Sequence, residues 1–311
     1  MNTKRLFESE DDWTASLAGR LTSRDDVVVG IGDDAAVVRG TDSDDYVYTT
    51  DAVIESIHFQ PGTSPRKIGR KLVGRLLSDL AAMGAKPGHI LINLVVPAGT
   101  DADYLHELYD GANELAASFG AAIVGGDTVA AIPLALHGFA VGLVPRGDAV
   151  LRSGGQAGDV LFVTGTLGGS INGRHLDFIP RVREGLWLRE GAWAHAMMDI
   201  SDGLSRDLRR LCRAGGVGAR IDASALPLSD EIASLPDCRN AVHHALCDGE
   251  DYELLFVVPR ERVVELERNW PADFAKICRI GLLCGPADVI EISHDGRRWE
   301  PLPAAGFDHM R

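Results

Sequence analysis

Apolar positions along this chain follow two periods. Val27–Ile31, Tyr46–Val53, Ile90–Val96 and Ala121–Val124 are short runs rich in apolar and β-branched side chains, the signature of buried strands. Residues 11–22 fit a short amphipathic helix. Pro65 opens a longer pattern with helical spacing that runs to about Met83, and Ala102–Phe119 is another. Ile132–Val144 reads as a long strand of small and apolar residues. Pro145–Gly158, rich in Gly and Arg, has no period and marks the expected boundary between two domains, 1–148 and 149–311. A second alternation follows. Val160–Thr164, Met197–Ile200, Gly218–Ile221, Tyr252–Val258, Ile277–Leu283 and Val289–Ser293 read as strands. Val182–His195, Leu204–Arg213, Asn240–Leu246 and Glu261–Trp270 read as helices. Strands and helices mixed in two halves predict an α/β protein with sheets of mixed, α+β character.

Composition narrows the partners. A length of 311 residues fits about two domains, and 45% apolar with 24% charged residues is ordinary for a globular chain able to bury a core. The net charge of −14 argues against nucleic acid or an anionic membrane as partner. It does not bar an anionic substrate, because bound cations reverse the local sign. The cysteines, Cys212, Cys238, Cys247, Cys278 and Cys284, are odd in number and lack CxxC spacing, which argues against a disulfide framework or a zinc site. The start of the chain lacks the apolar run of a signal peptide, and no stretch approaches the ~20 apolar residues of a membrane helix, so a cytoplasmic protein is expected.

The aspartates carry the chemistry. Asp33-Asp34, Asp51 and Asp127 each close or follow an expected strand, Asp79 lies on a helix, and Asp199 and Asp202 flank the start of another. Taken singly, each is an ordinary turn or cap residue. Taken together, such positions converge on one edge of a sheet. Two like charges 4 Å apart repel by about 4 kcal/mol at an effective dielectric of 20, so a clustered set takes up protons or cations. Oxygen ligands with no Cys/His cluster point to Mg²⁺ beside substrate phosphates. Gly125-Gly126-Asp127 offers backbone N–H groups to a phosphate with a carboxylate for the metal. Asp199-Ile200-Ser201-Asp202-Gly203-Leu204, between a strand and a helix, suits an anion bridged by a metal. Gly249-Glu250-Asp251-Tyr252-Glu253-Leu254 puts three acids and an aromatic at a strand entrance, suited to the cationic or hydrogen-bonding part of a substrate. Gly168–His175 nearly spells a P-loop, but Arg174 stands in place of the lysine and His175 in place of the hydroxyl. Arg66, Lys67, Arg70, Lys71 and Arg75 read as a solvated helix face, with an anion or partner surface as the alternative.

These motifs resemble the thiamine-monophosphate kinases. Gly-Ile-Gly-Asp-Asp-Ala-Ala (30–36), Thr-Thr-Asp (49–51), His58-Phe59, Ser-Asp-Leu-Ala-Ala-Met-Gly-Ala (78–85), Gly-Gly-Asp-Thr (125–128) and Leu-Arg-Ser-Gly (151–154) occur in the family's order. So do Asp-Ile-Ser-Asp-Gly-Leu (199–204), Gly-Glu-Asp-Tyr-Glu-Leu (249–254) and the closing Gly-Phe-Asp-His (306–309). The resemblance implies the two-domain aminoimidazole-ribonucleotide-synthetase-like architecture, a homodimer formed through the N-terminal halves, and transfer of the ATP γ-phosphoryl group to thiamine monophosphate. Carried over by motif, Asp34, Thr49, Thr50, Asp51, Asp79, Asp127, Asp199 and Asp202 bind Mg²⁺. Gly126, Asp127, Arg152 and Ser201 contact ATP, and His58, Asp251 and Phe307 contact thiamine monophosphate. Asp51, Asp127, Arg152 and Asp202 are the catalytic set. Two departures stand out: Leu76 replaces an Asn common in the family, and the chain is much shorter than the family's between Gly173 and His175. Two alternatives stay open, another ATP-dependent enzyme of the same superfamily and a nucleotide-binding paralogue that does not catalyse.

Overall fold

A computed structural model describes residues 9–22, 24–287 and 289–307. Ser9 caps helix α1 (Glu10–Ala18) through its hydroxyl oxygen, which accepts from the Asp12 N–H. Then come β1 (Val27–Val29), β2 (Ala36–Arg39) and β3 (Asp44–Ile54), followed by α2 (Pro65–Ala82), whose Pro65 supplies a preset φ where a first turn needs no N–H. β4 (Lys86–Val96), α3 (Ala102–Ser118), β5 (Ala122–Ala130) and β6 (Ala135–Pro145) complete the first half. The second half holds β7 (Val160–Thr164), α4 (Arg174–Asp177), α5 (Val182–Glu190), β8 (Ala196–Ile200), α6 (Leu204–Gly215) and β9 (Gly218–Asp222). It ends with α7 (Ala241–Cys247), β10 (Glu253–Val258), α8 (Val263–Asn269), β11 (Ile277–Cys284), β12 (Ile290–Ser293) and β13 (Glu300–Pro301).

The strands form two mixed sheets, ordered β1-β2-β3-β6-β4-β5 and β13-β12-β9-β11-β7-β10-β8. Pairing is antiparallel except for β4 with β5 and β9 with β12. β7, β8 and β10 are buried at every position, which is why they read as continuous apolar runs and not as alternations.

Helix α2 joins the halves. One side meets α3 with the backbones in contact: a Cβ on Gly69 would lie 1.9 Å from the Leu108 carbonyl oxygen, and one on Gly111 2.0 Å from that of Arg66. Another side lies on the inner face of the first sheet, and a third packs on α4, α5 and β8. One of two apolar cores therefore runs from Val37 and Val47 through Leu72, Leu76 and Leu80 to Phe162, Leu188 and Phe256. Leu76 is fully buried in it, facing Gly138, where a Cβ would sit 2.5 Å from its Cδ1.

Several expectations change. The apolar pattern does not mark β2. β5 does not stop before Gly125 but runs straight through Gly-Gly-Asp, because Gly126 lets it press onto β4, where a Cβ would meet the Ile92 carbonyl oxygen at 1.8 Å. α5 ends before Gly191 and not at His195, and Arg174–Asp177 form the single-turn α4. Phe307 is described, while Asp308 and His309 of the closing motif lie outside the described residues.

Candidate active site

Three carboxylates meet from distant parts of the chain. Asp34 comes from the loop between β1 and β2, Asp79 from the last turn of α2 and Asp199 from the end of β8. One oxygen of each lies within 4.8 Å of the others. The Thr49 hydroxyl donates to Asp79, and the Ser78 hydroxyl donates to Asp199 Oδ2 at 2.6 Å. Burial, then the charges of Asp199 and Asp51, push the Asp79 carboxyl well above the usual range. Burial and the Asp34 charge do the same to Asp199. An all-oxygen set of this kind, with no thiolate or imidazole, fits a hard divalent cation such as Mg²⁺.

Around the trio lies a cleft of about 820 Å³ that also reaches Thr49, Thr50, Asp51, His58, Arg152, Ser201 and Asp202. Arg152 grips Asp34 through Nη2 at 2.8 Å and Nε at 3.1 Å, and its backbone N–H donates to Asp33. Burial opposes the charge on Arg152, but Asp34 and Asp33 outweigh it and hold the guanidinium above its ordinary value. Burial and Asp34 raise Asp33 to about 6. Asp202 accepts from Arg210 at 2.7 Å, and Arg210 also holds Asp11 of α1 at 2.9 Å, closing the rim of the cleft. The Thr50 hydroxyl donates to the Gly138 carbonyl at 2.8 Å.

A second cavity of about 360 Å³ adjoins the first and is lined by Ile57, Arg239, Cys247, Glu250 and Phe307 among others. His58 lines both cavities, with its Nδ1 accepting from the Ile54 N–H at 3.1 Å.

The basic run is not one solvated face. Arg66, Lys67 and Arg70 pair with acids at the surface, but Lys71 is fully buried and Arg75 nearly so. Lys71 Nζ reaches the His58 carbonyl at 2.6 Å, His175 Nδ1 at 2.7 Å and Glu250 at 2.7 Å. Arg75 forks onto Asp51 at 2.5 and 2.6 Å and touches Glu250 at 3.3 Å. Burial alone would raise Glu250, but the His175 hydrogen bond and the Lys71 and Arg75 charges hold it down to about 2. Burial draws Lys71 down to about 8 against the pull of Glu250. Lys71, Arg75 and Asp79 recur at i, i+4 and i+8 on α2, the spacing that places all three on one face, and this was the available signal for them.

Within one chain, the expected site residues Asp251, Gly126 and Asp127 lie outside both cavities. Asp251 does not face either cavity: its side chain is buried, takes the Gly168 N–H at 3.0 Å and pairs with Arg174 at 2.9 Å. Its neighbour Glu250 faces the second cavity instead. Arg174, the residue in the near P-loop, is thus a tether. Gly126 and Asp127 sit on β5, the edge strand, while Asp51 is on β3. Register places Asp51, Gly138, Ile92 and Gly126 in one row, so three strand spacings, roughly 14 Å, separate the ends. Asp127 is exposed and its carboxylate accepts only its neighbour Thr128's N–H among the bonds described.

Residues 32–144 match the family described as AIR synthase related protein, N-terminal domain, and residues 179–281 match AIR synthase related protein, C-terminal domain. The chain is 37% identical to the thiamine-monophosphate kinase of Rhodopirellula baltica over 87% of its length and 89% of that protein's. It is 36% identical to the thiamine-monophosphate kinase of Escherichia coli over 76% of its length and 78% of that protein's. Among solved structures, AaThiL complexed with AMPPCP and TMP superposes with a TM-score of 0.84 at 30% identity, covering 99% of this chain and 100% of that one.

Proposed function

The chain belongs to the thiamine-monophosphate kinase family, and we infer from that membership and from its site that it is the ATP-dependent transferase its relatives are named for, making thiamine diphosphate from thiamine monophosphate. The observation that carries the reading is the pair of adjoining cavities, one acidic and one holding Phe307 and Glu250, which meet at His58 and Arg75.

In this reading the acidic cleft takes ATP and the smaller cavity takes the thiamine end of the acceptor. Phe307 supplies a flat apolar face to a heterocycle, and the ionised Glu250 supplies a negative charge to its cationic ring. Asp34, Asp79 and Asp199 would hold Mg²⁺, with Asp51, Asp202 and the Thr49 hydroxyl at the margin of the set. When bound, Mg²⁺ screens the two phosphates from each other and neutralises charge on the leaving diphosphate. Arg152 and Ser201 line the ATP side. The acceptor oxygen is already ionised near neutral pH, so the chain needs no strong general base. Its work is to align the two phosphates for in-line attack and to exclude water.

Domain limits at 1–148 and 149–311 are supported by the strand sets, the first ending at Pro145 and the second starting at Val160. A homodimer through the first sheet is supported by its outer face, where Leu91, Phe139, Leu143, Val124 and Val129 are exposed. Register sets Ala52, His137, Asn93 and Asp127 in one row on that face, and Ala52 and His137 line the cleft. A second copy covering the face would thus bring its own Gly126 and Asp127 toward the cleft rim. Sedimentation should give a dimer, and Phe139→Glu should give a monomer; a native monomer would end this part of the reading. No helix among the described residues is long and apolar enough to cross a membrane, which is compatible with a cytoplasmic enzyme.

The kinase reading is tested by chromatography of thiamine phosphates after incubation with ATP, Mg²⁺ and either thiamine monophosphate or thiamine. Thiamine diphosphate formed from the monophosphate alone is expected. Mg-ATP binding with no product from either acceptor would move the assignment to a non-catalytic paralogue.

A further inference from the structure

We propose that Arg75 is a further catalytic residue of this site, its guanidinium binding the phosphates that meet between the two cavities during transfer. The inference rests on the kinase reading above. Among the described residues, five line both cavities: His58, Arg75, Ser201, Asp202 and Tyr252. Arg75 is the one whose side chain carries a permanent positive charge. It stands where the acceptor phosphate, anchored through the smaller cavity, has to approach the γ-phosphate in the larger one.

Its geometry suits that task. Nε and Nη2 hold Asp51, and Nη1 holds Glu250, so the guanidinium spans one carboxylate from each cavity. These bonds use three of the five N–H donors and leave one on each terminal nitrogen for a phosphate oxygen. The Tyr252 ring, its centroid 5.8 Å from Cζ, and the two acids together fix the plane of the fork, so little order is lost when an anion binds. The side chain is only 10% exposed, which shelters its charge from water and strengthens its action on a phosphate.

In the step itself a non-bridging oxygen of the acceptor phosphate forms a bond to the γ-phosphorus. The bond from that phosphorus to the β,γ-bridging oxygen breaks, and its electron pair leaves with ADP. An acceptor dianion has no proton to lose, and nothing is oxidised or reduced. Arg75 donates to the equatorial oxygens of the phosphoryl group in flight and to the acceptor phosphate, where negative charge is crowded most.

The test uses Arg75→Ala and Arg75→Lys in the full chain. For Arg75→Ala, kcat should fall about 100-fold or more with the ATP KM little changed, the size expected for losing a preorganised donor to a transition state. Added guanidinium ion should restore part of that activity and leave the native enzyme unaffected. By calorimetry without ATP, the native chain should bind thiamine monophosphate more tightly than thiamine, and the variant should lose that preference. Arg75→Lys should recover only part of kcat, since it keeps the charge and loses the fork. A folded Arg75→Ala chain with kcat within about threefold of native, or with the preference intact and no rescue, overturns the proposal. If Arg75→Ala does not fold, Arg75→Lys decides by the same kcat threshold. A native enzyme that makes no thiamine diphosphate would instead defeat the kinase reading and take this inference with it.

Discussion

Replacing Asp79 by Asn removes one charge from a trio whose oxygens lie within 4.8 Å of one another, and keeps an acceptor for the Thr49 hydroxyl. At that spacing and an effective dielectric of 20, each ionised pair repels by about 3.5 kcal/mol. Asp79 faces Asp34 and Asp199, and the folded chain escapes part of the cost by holding protons, as the raised Asp79 and Asp199 values reflect. One pair's worth, about 3 kcal/mol, is therefore the expected gain for metal-free protein near pH 8. At about 2.1 cal/mol/K per residue, a chain of 311 residues unfolds with roughly 0.65 kcal/mol/K, so the melting point should rise by about 5 °C.

The pH dependence follows from the direction of the shift. Asp79 titrates near 3.9 when unfolded and higher when folded, so its contribution is full below about pH 4 and is lost as pH rises through the folded value. Asparagine has nothing to lose. The variant's advantage in EDTA should be absent near pH 4 and grow toward pH 8, kinase activity should disappear, and Mg²⁺ should raise the melting point of the native chain but not that of the variant. Calorimetry across pH, with and without Mg²⁺, measures all of this. A variant that melts at or below native near pH 8 in EDTA, or that gains as much from Mg²⁺, would refute the charge-cluster argument.

Lys71→Met strips Glu250, His175 and the His58 carbonyl of a shared partner, so denaturant titration should show a loss of about 3–5 kcal/mol. Phe307→Ala should raise the thiamine monophosphate KM about tenfold, the worth of one aromatic face, with the ATP KM unchanged in steady-state assays. Asp251→Asn should leave the thiamine monophosphate KM within about threefold of native while lowering the melting point, because that side chain serves Gly168 and Arg174; a large KM effect alone would restore it to the substrate site.

Much of the fold was legible because its strands and helices keep their periods: α2, α3 and the buried runs of β7, β8 and β10 stand nearly where the apolar pattern puts them. β2 escaped because four residues of Ala-Val-Val-Arg between two acidic turns carry too short a pattern. Asp34, Asp79 and Asp199 were legible as carboxylates at element ends, and the fold brings them together. Charge on a helix is normally exposed, so the sequence pattern favours a solvated face for Lys71 and Arg75, with an anion or partner surface as the alternative. Only tertiary pairing with Glu250 and Asp51, far off in sequence, makes their burial tolerable. Glu250 and not Asp251 lines the smaller cavity for a local reason: Glu250 and Tyr252 both take positive φ, at 65° and 51°, and that kink sends adjacent side chains in directions no strand alternation foretells.

Direct transfer from ATP to the acceptor phosphate is tested most closely by a single-turnover experiment with γ-³²P-labelled ATP, excess enzyme and thiamine monophosphate. The label should pass into the terminal phosphate of thiamine diphosphate at the rate ATP disappears, with none on the protein at any time. Label released as inorganic phosphate without entering thiamine diphosphate, or held on the chain before reaching it, would rule out direct transfer.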